Sequence, residues 1–167
     1  ADRLAAAHGE STQAARTAGM LHDLARLFPA ERLIRECATR NLVIDAFERR
    51  NPLVLHARLG AELARERFGV HEEAILSAIR KHTTAAPNMS RLDEVVYLAD
   101  GLEAGREFPE RAQLERLAFA DLGAAMYGVL HAGVAHLRAR ELEIAPQTLV
   151  ALERYRATTE KKEKRSA

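Results

Sequence analysis

The sequence predicts an all-α protein folded as a single bundle of helices. Two observations carry this. Alanine, leucine, arginine and glutamate dominate, while strand-forming residues are sparse. Apolar residues recur at helical spacing between short breaks at Gly, Pro and Asn. At 167 residues the chain suits one domain with a real core. No internal repeat is visible, nor a linker long enough to separate a second domain. The helical domain is predicted over residues 1–157, followed by a charged, disordered tail over 158–167 that is poor in apolar side chains.

The elements follow in order. Ala1 to Ala7 read as the last turns of a helix closed by Gly9. Ser11 can cap the next helix, whose apolar positions are Ala14, Ala18, Leu21 and Ala25. His22 and Asp23 fall in its last turns. Phe28-Pro29 is a break, with Pro29 suited to the first turn of a third helix through Leu33 and Ile34. Leu42 to Phe47 is apolar and of undetermined type. Asn51-Pro52 starts a helix that ends near Phe68-Gly69, with Leu55, Leu59 and Leu63 as its stripe. His56 flanks that stripe, and Gly60 is placed to leave room beside the imidazole. Glu72 and Glu73 open the next helix, where acidic residues suit the dipole. Ile75, Ile79 and His82 continue one apolar face, and the helix stops before Pro87. Ser90 to Asp93 forms a capping box with Asp in the place of Glu. Leu92, Val95, Val96 and Ala99 follow on one face, with Asp100 one turn after Val96. After Phe108-Pro109 come a short helix over Leu114 to Ala120, a long one over Asp121 to Glu141, and a last one from Pro146 through Tyr155.

Composition excludes several classes of function. Lys and Arg total 25 against 24 Asp and Glu, a net charge of +1, so nothing in the bulk electrostatics marks a nucleic-acid binder. No apolar run is long enough for a membrane span, and no signal peptide is visible. Cys37 is the single cysteine, which rules out an intrachain disulfide and fits a small buried hydrophobe in a cytoplasmic protein.

The chemistry centres on Gly19-Met20-Leu21-His22-Asp23-Leu24-Ala25. An imidazole and a carboxylate stand side by side among apolar and small residues, where charge is costly unless compensated, and a bound metal is one compensation. His56, His82 and Asp100 each fall on or beside the inner side of a separate helix. Imidazole with carboxylate and no thiolate favours Fe, Mn, Zn, Co or Ni over a structural zinc site. Asp23 could bridge two ions, and paired ions about 3.5–4 Å apart activate water and stabilise phosphoryl oxygens. The reaction class is hydrolysis of a phosphoester or phosphoanhydride. His71 is expected to be exposed. His131 and His136 are not spaced to share a helix face and are not expected in the site.

Four blocks match a known family. They are Ala18 to Arg26; His56-Ala57-Arg58-Leu59-Gly60-Ala61; Ala78 to Thr84; and Val95 to Glu103 with Arg106 after it. In these blocks the chain resembles the YqeK family, a branch of the HD-domain metal-dependent phosphohydrolases, over roughly residues 3–155. The resemblance implies an all-helical HD fold with a metal site between helices and symmetrical hydrolysis of diadenosine tetraphosphate to two ADP. It implies two divalent ions, iron first, with Mn, Co, Ni or Zn as alternatives. His22 and Asp23 would bind metal with Asp23 bridging, Asp100 would join the first ion, and His56 with His82 would hold the second. Arg26, where the family usually has Lys, could contact phosphate as a fork rather than a point charge. Thr83 and Arg106 would meet substrate phosphates, and Arg106 has a surface ion pair as its other reading. The substrate would be a small dinucleoside polyphosphate, and the resemblance leaves room for a homodimer.

The chain also departs from the family. The family's first ligand is a His on a helix upstream of residue 1, and His8 lies too near His22 to replace it. A chain that opens mid-helix points to truncation rather than loss of the ligand. Ala85 and Ala104 stand where the family tends to have Gly and Pro, and both are expected at the pocket rim. Two other readings stay open: a phosphohydrolase for another nucleotide, or a nucleotide- or partner-binding module with a degraded site.

Overall fold

The computed structural model describes residues 1–166, and among them ten α-helices and one 3-10 turn follow one another with no strand. Helix α1 (Asp2–Ala7) closes as expected at Gly9, which takes a positive φ of 70°. The Gly9 and Glu10 amides donate to the Ala6 and Ala5 carbonyls, which satisfies the groups a helix end leaves open. Helix α2 (Thr12–Leu21) starts where the Ser11 hydroxyl accepts from the Ala14 amide at 3.1 Å. It stops at Leu21, so His22 is its C-cap and Asp23 lies in the turn beyond, rather than inside the last helical turn. Helix α3 (Ala30–Thr39) takes Pro29 as its N-cap.

The undetermined stretch before residue 47 resolves into a loop and a short helix α4 (Ala46–Arg50). A reciprocal capping box between Asp45 and Glu48 starts it. Glu48 is buried and also accepts from Arg58 at 2.7 Å, tying this segment to the helix that follows. The 3-10 turn Pro52–Val54 leads into α5 (Leu55–Phe68), which Gly69 ends at φ 64°. Helices α6 (Glu73–Lys81) and α7 (Arg91–Gly101) form a hairpin, with both halves of the predicted Ser90–Asp93 capping box made.

Helices α8 (Arg111–Ala120), α9 (Leu122–Ala139) and α10 (Pro146–Ser166) complete the chain. Asp121 is the N-cap of α9, accepting from the Ala124 amide at 3.1 Å. Helix α10 does not stop at Tyr155. Residues 158–166, expected as a disordered tail, continue it, and Ala167 of that tail lies outside the described residues. The Thr158 and Thr159 hydroxyls donate back to the Arg154 and Tyr155 carbonyls, and Lys162 pairs with Asp121 at 2.7 Å. Lys and Glu in this stretch are good helix formers, so charge alone did not predict disorder.

The main core gathers Leu76 and Ile79 of α6, Val95 and Leu98 of α7, and Met126 and Leu130 of α9. A second cluster joins Leu33 and Cys37 of α3 to Leu55, Leu59 and Leu63 of α5, and Cys37 is fully buried as a small hydrophobe. This packing fixes the site. Helix α2 packs on α5, α6 and α7, and α6 packs on both α5 and α7. The C-terminal ends of α2, α6 and α7 carry His22, His82 and Asp100, and helix C-termini carry partial negative charge that favours a cation. No described helix is long and apolar enough to cross a membrane.

Candidate metal centre

The three histidines share one local device. His22 Nδ1 lies 2.8 Å from the Gly19 carbonyl, His56 Nδ1 2.6 Å from the Leu53 carbonyl, and His82 Nδ1 2.7 Å from the Ile79 carbonyl. A carbonyl only accepts, so each Nδ1 carries the proton and donates. Each Nε2 is left with its lone pair, the state in which imidazole binds metal. All three bonds reach back three residues at a helix end, so the local fold sets the tautomer.

The Nε2 atoms converge on the carboxylates. Asp23 divides its two oxygens: Oδ2 lies 3.6 Å from His22 Nε2, while Oδ1 lies 3.3 Å from His56 Nε2 and 3.5 Å from His82 Nε2. Asp100 Oδ1 stands 3.8 Å from His22 Nε2. Asp23, His56 and His82 therefore form one group with ligand atoms within 4.8 Å of one another, and His22, His82 and Asp100 form another. His56 Nε2 and His82 Nε2 face each other at 3.1 Å, with the Thr83 hydroxyl 3.1 and 3.0 Å from them. One hydroxyl proton serves only one of these two lone pairs at a time. A cation among these atoms satisfies both at once, and the donor set fits a hard or borderline divalent ion.

Charge states follow from surroundings. Burial lowers His56 and takes His82 down to about 4, so both are neutral at pH 7. His22 is raised by its interaction with Asp100, against burial. Burial opposes ionisation of Asp100, but the nearby His22 imidazole and the Arg106 guanidinium, which donates to it at 2.8 Å, outweigh that and hold the carboxyl at about 2. Asp100 is thus a half-buried carboxylate that meets the Arg106 guanidinium.

The site opens into a cavity of about 800 Å³. At one end Asp23, Arg26, His56, His82, Thr83, Tyr97, Asp100 and Arg106 line it. Among the described residues no carboxylate pairs with Arg26. Arg106 donates to Asp100 Oδ1 at 2.8 Å and lies 3.4 Å from Glu103, so its ion pair is formed with the site itself. The other end runs between the segment from Phe108 to Leu114 and the face of α9 bearing Gly128, Val129 and Ala132. His131 and His136 also border this arm, contrary to the expectation from their spacing. Both are exposed, and an open cavity admits residues from a wider arc of a helix than a packed face does.

Other expectations are corrected or refined. Gly60 does not relieve the His56 ring: a Cβ there would lie 3.2 Å from the His22 carbonyl oxygen, so Gly60 lets α5 approach the end of α2. Ala85 takes a positive φ of 56°, and its amide donates to the Lys81 carbonyl at 2.9 Å, closing the turn after His82. That is the backbone region glycine favours. Ala104 is exposed in the loop between Asp100 and Arg106, His71 is exposed, and His8 contacts the Ala118 carbonyl at 2.7 Å rather than any ligand. Tyr97 escaped the sequence reading as a site residue, although it stands three residues before Asp100 on the same face of α7.

Comparison with known proteins places this arrangement. The HD domain family matches residues 1–105, a span that contains every candidate ligand. The chain belongs to the HD domain family, whose members are metal-dependent. Within it the chain is 32% identical to the symmetrical bis(5'-nucleosyl)-tetraphosphatase of Bacillus subtilis (strain 168), over 88% of this chain and 78% of that protein. It is 34% identical to the protein of the same name from Halalkalibacterium halodurans, over 87% of this chain and 78% of that one. A crystal structure from Clostridium acetobutylicum, described as a "predicted HD superfamily hydrolase involved in NAD metabolism", superposes with a TM-score of 0.90. It is 32% identical and is matched over 94% of this chain and 83% of its own.

Proposed function

We propose that this chain is a metal-dependent hydrolase that cleaves diadenosine tetraphosphate symmetrically to two ADP. The carrying observation is the set of three imidazoles whose Nδ1 atoms are committed to backbone carbonyls, turning each Nε2 toward Asp23 and Asp100. The names of the relatives point to the same reaction. In this reading His22, Asp23 and Asp100 would hold one divalent ion and Asp23, His56 and His82 the other, with iron first and Mn, Co, Ni or Zn as alternatives. Such ions supply a water acidified toward neutral pH and polarise phosphoryl oxygens.

The chain's own residues do the rest. Asp23 keeps Oδ2 toward His22 and Oδ1 toward His56 and His82, so it would serve both groups. Arg26 and Arg106 present guanidinium forks to the phosphate chain, a charge-assisted contact. The Thr83 hydroxyl, between two imidazoles, is placed to turn to a phosphate oxygen. The arm along α9, with Phe108, Leu114, Val129 and Ala132 among its lining, suits a nucleoside, whose flat base a bare polyphosphate lacks. Hydrolysis breaks the central phosphoanhydride: water's oxygen joins one half, and the bridging oxygen leaves with the other.

The proposal covers an HD unit over residues 1–157 and a cytoplasmic enzyme acting on a small dinucleotide rather than on nucleic acid. Light scattering reads whether it works as a monomer or a homodimer. The test is turnover of diadenosine tetraphosphate with Fe(II) or Mn(II) under reducing conditions, beside metal content. Wild type turns over, and Asp23→Ala loses both metal and activity. An Asp23→Ala variant with wild-type turnover overturns the assignment.

A further inference from the structure

Among the residues that line the metal end of the cavity, the proposed function leaves one polar side chain without a task. Tyr97 lies on α7 three residues before Asp100, so the two share a face. Its ring packs against the main core, and the residue lines the cavity beside Asp23, Asp100 and Arg106. Asp100 and Arg106 both act electrostatically on the phenol.

A tyrosine in a core usually satisfies its hydroxyl within the protein. Tyr155 does so, donating to Glu94 at 2.6 Å. The Tyr97 hydroxyl makes no hydrogen bond among the described residues, so it is not a structural tie of that kind. A phenylalanine would fill the same core position without bringing a polar atom to a cavity wall, so packing alone does not account for the hydroxyl. Nor is it a base, since an ordinary phenol is neutral at pH 7 and can donate.

Its surroundings say what it would donate to. The nearby Asp100 oxygen already accepts from Arg106 at 2.8 Å. A phosphate chain drawn to Arg26 and Arg106 brings acceptor oxygens into the same end of the cavity. We propose that the Tyr97 hydroxyl is a substrate-contacting group that donates a hydrogen bond to a phosphoryl oxygen. Unlike the two arginines it adds a donor without adding charge. It holds the chain beside Asp100, a neighbour that repels phosphate, without competing for the Asp100 carboxylate as a third cation would.

The inference rests on the proposed nucleotide substrate, and its test separates the two. Tyr97→Phe keeps the ring and removes one donor. Calorimetry with ADP on the Mn(II)-loaded protein is predicted to show affinity weakened about 10- to 100-fold, the range for a hydrogen bond to a charged partner. kcat/KM for diadenosine tetraphosphate should fall by a similar factor, while Mn(II) affinity and thermal midpoint stay at wild-type values. Wild-type ADP affinity together with wild-type kcat/KM in Tyr97→Phe overturns the proposal. A wild type that binds ADP but cleaves no diadenosine tetraphosphate refutes the function, and the ADP comparison then decides the role of Tyr97 alone.

Discussion

Lys81 immediately precedes His82, and its ammonium is held at 2.7 Å by Asp93 and at 3.0 Å by the Asn88 carbonyl. Asp93 is fully buried, while the Lys81 side chain keeps 22% of its exposure. One carboxylate thus caps α7 through the Ser90 amide at 2.8 Å and anchors the end of α6 that presents a candidate ligand. Lys81→Met keeps the stem and removes the charge. Asp93 would then be an anion out of water, with one oxygen on an amide and the other already without a partner. Removing one member of a buried pair costs about 3–5 kcal/mol, and about 3 is expected here because Lys81 is not fully enclosed. Asp93→Asn should cost less, about 1–2 kcal/mol, since Lys81 can turn to water and the amide oxygen can still cap Ser90. The double variant carries no stranded charge and should be more stable than Lys81→Met alone by roughly 1 kcal/mol, a favourable coupling. Urea unfolding of the metal-free protein at pH 7 reads all four states. A loss under about 1 kcal/mol in Lys81→Met, or no recovery in the double variant, would refute the reasoning.

Three further predictions follow from the site. In the metal-free protein His82 has a folded pKa of about 4 against an ordinary 6.5, so between those values the unfolded chain binds more protons. Stability from this group is whole above pH 6.5 and is lost as pH falls, by about 3 kcal/mol at pH 4. His56 acts in the same direction, while His22, raised by Asp100, opposes them, and the stability that Asp100 contributes is whole above its ordinary 3.8 and is lost as pH falls toward 2. Stability unchanged between pH 7 and 5 would contradict this balance. Gly60→Ala gains about 1 kcal/mol of helix propensity but sets a methyl against the His22 carbonyl, where overpacking costs about 1–3 kcal/mol. Net destabilisation with weaker Mn(II) binding is expected, and wild-type Mn(II) affinity would show that α2 yields freely. Ala132→Trp, which fills the arm along α9, should raise KM for diadenosine tetraphosphate at least tenfold with Mn(II) binding intact; an unchanged KM would place the nucleoside elsewhere.

Much of this candidate site is legible in the sequence because its candidate ligands sit in local, periodic contexts. His82 continues the Ile75–Ile79 face and Asp100 follows Val96 by one turn, so each inward position can be counted from apolar neighbours. The capping boxes and the Gly69 stop are chemical signals of the same local kind. What the sequence hides is set by distance in space. Gly60 reads as room for its neighbour His56, yet its purpose is the carbonyl of a residue on another helix. His131 and His136 fail every spacing rule for a shared face but border a cavity whose opposite wall comes from residues 108–114. The tail reads as disordered by composition, yet a pairing between Lys162 and Asp121 across 41 positions helps to hold it against α9. Tyr97 could have been found by asking which polar side chain shares the Asp100 face.

The most direct test of the account identifies the products of diadenosine tetraphosphate incubated with this chain and Fe(II) or Mn(II) under reducing conditions. The account predicts two ADP for each substrate consumed and no product once the metal is chelated. ATP with AMP, or ADP formed at the same rate in chelator, would contradict it.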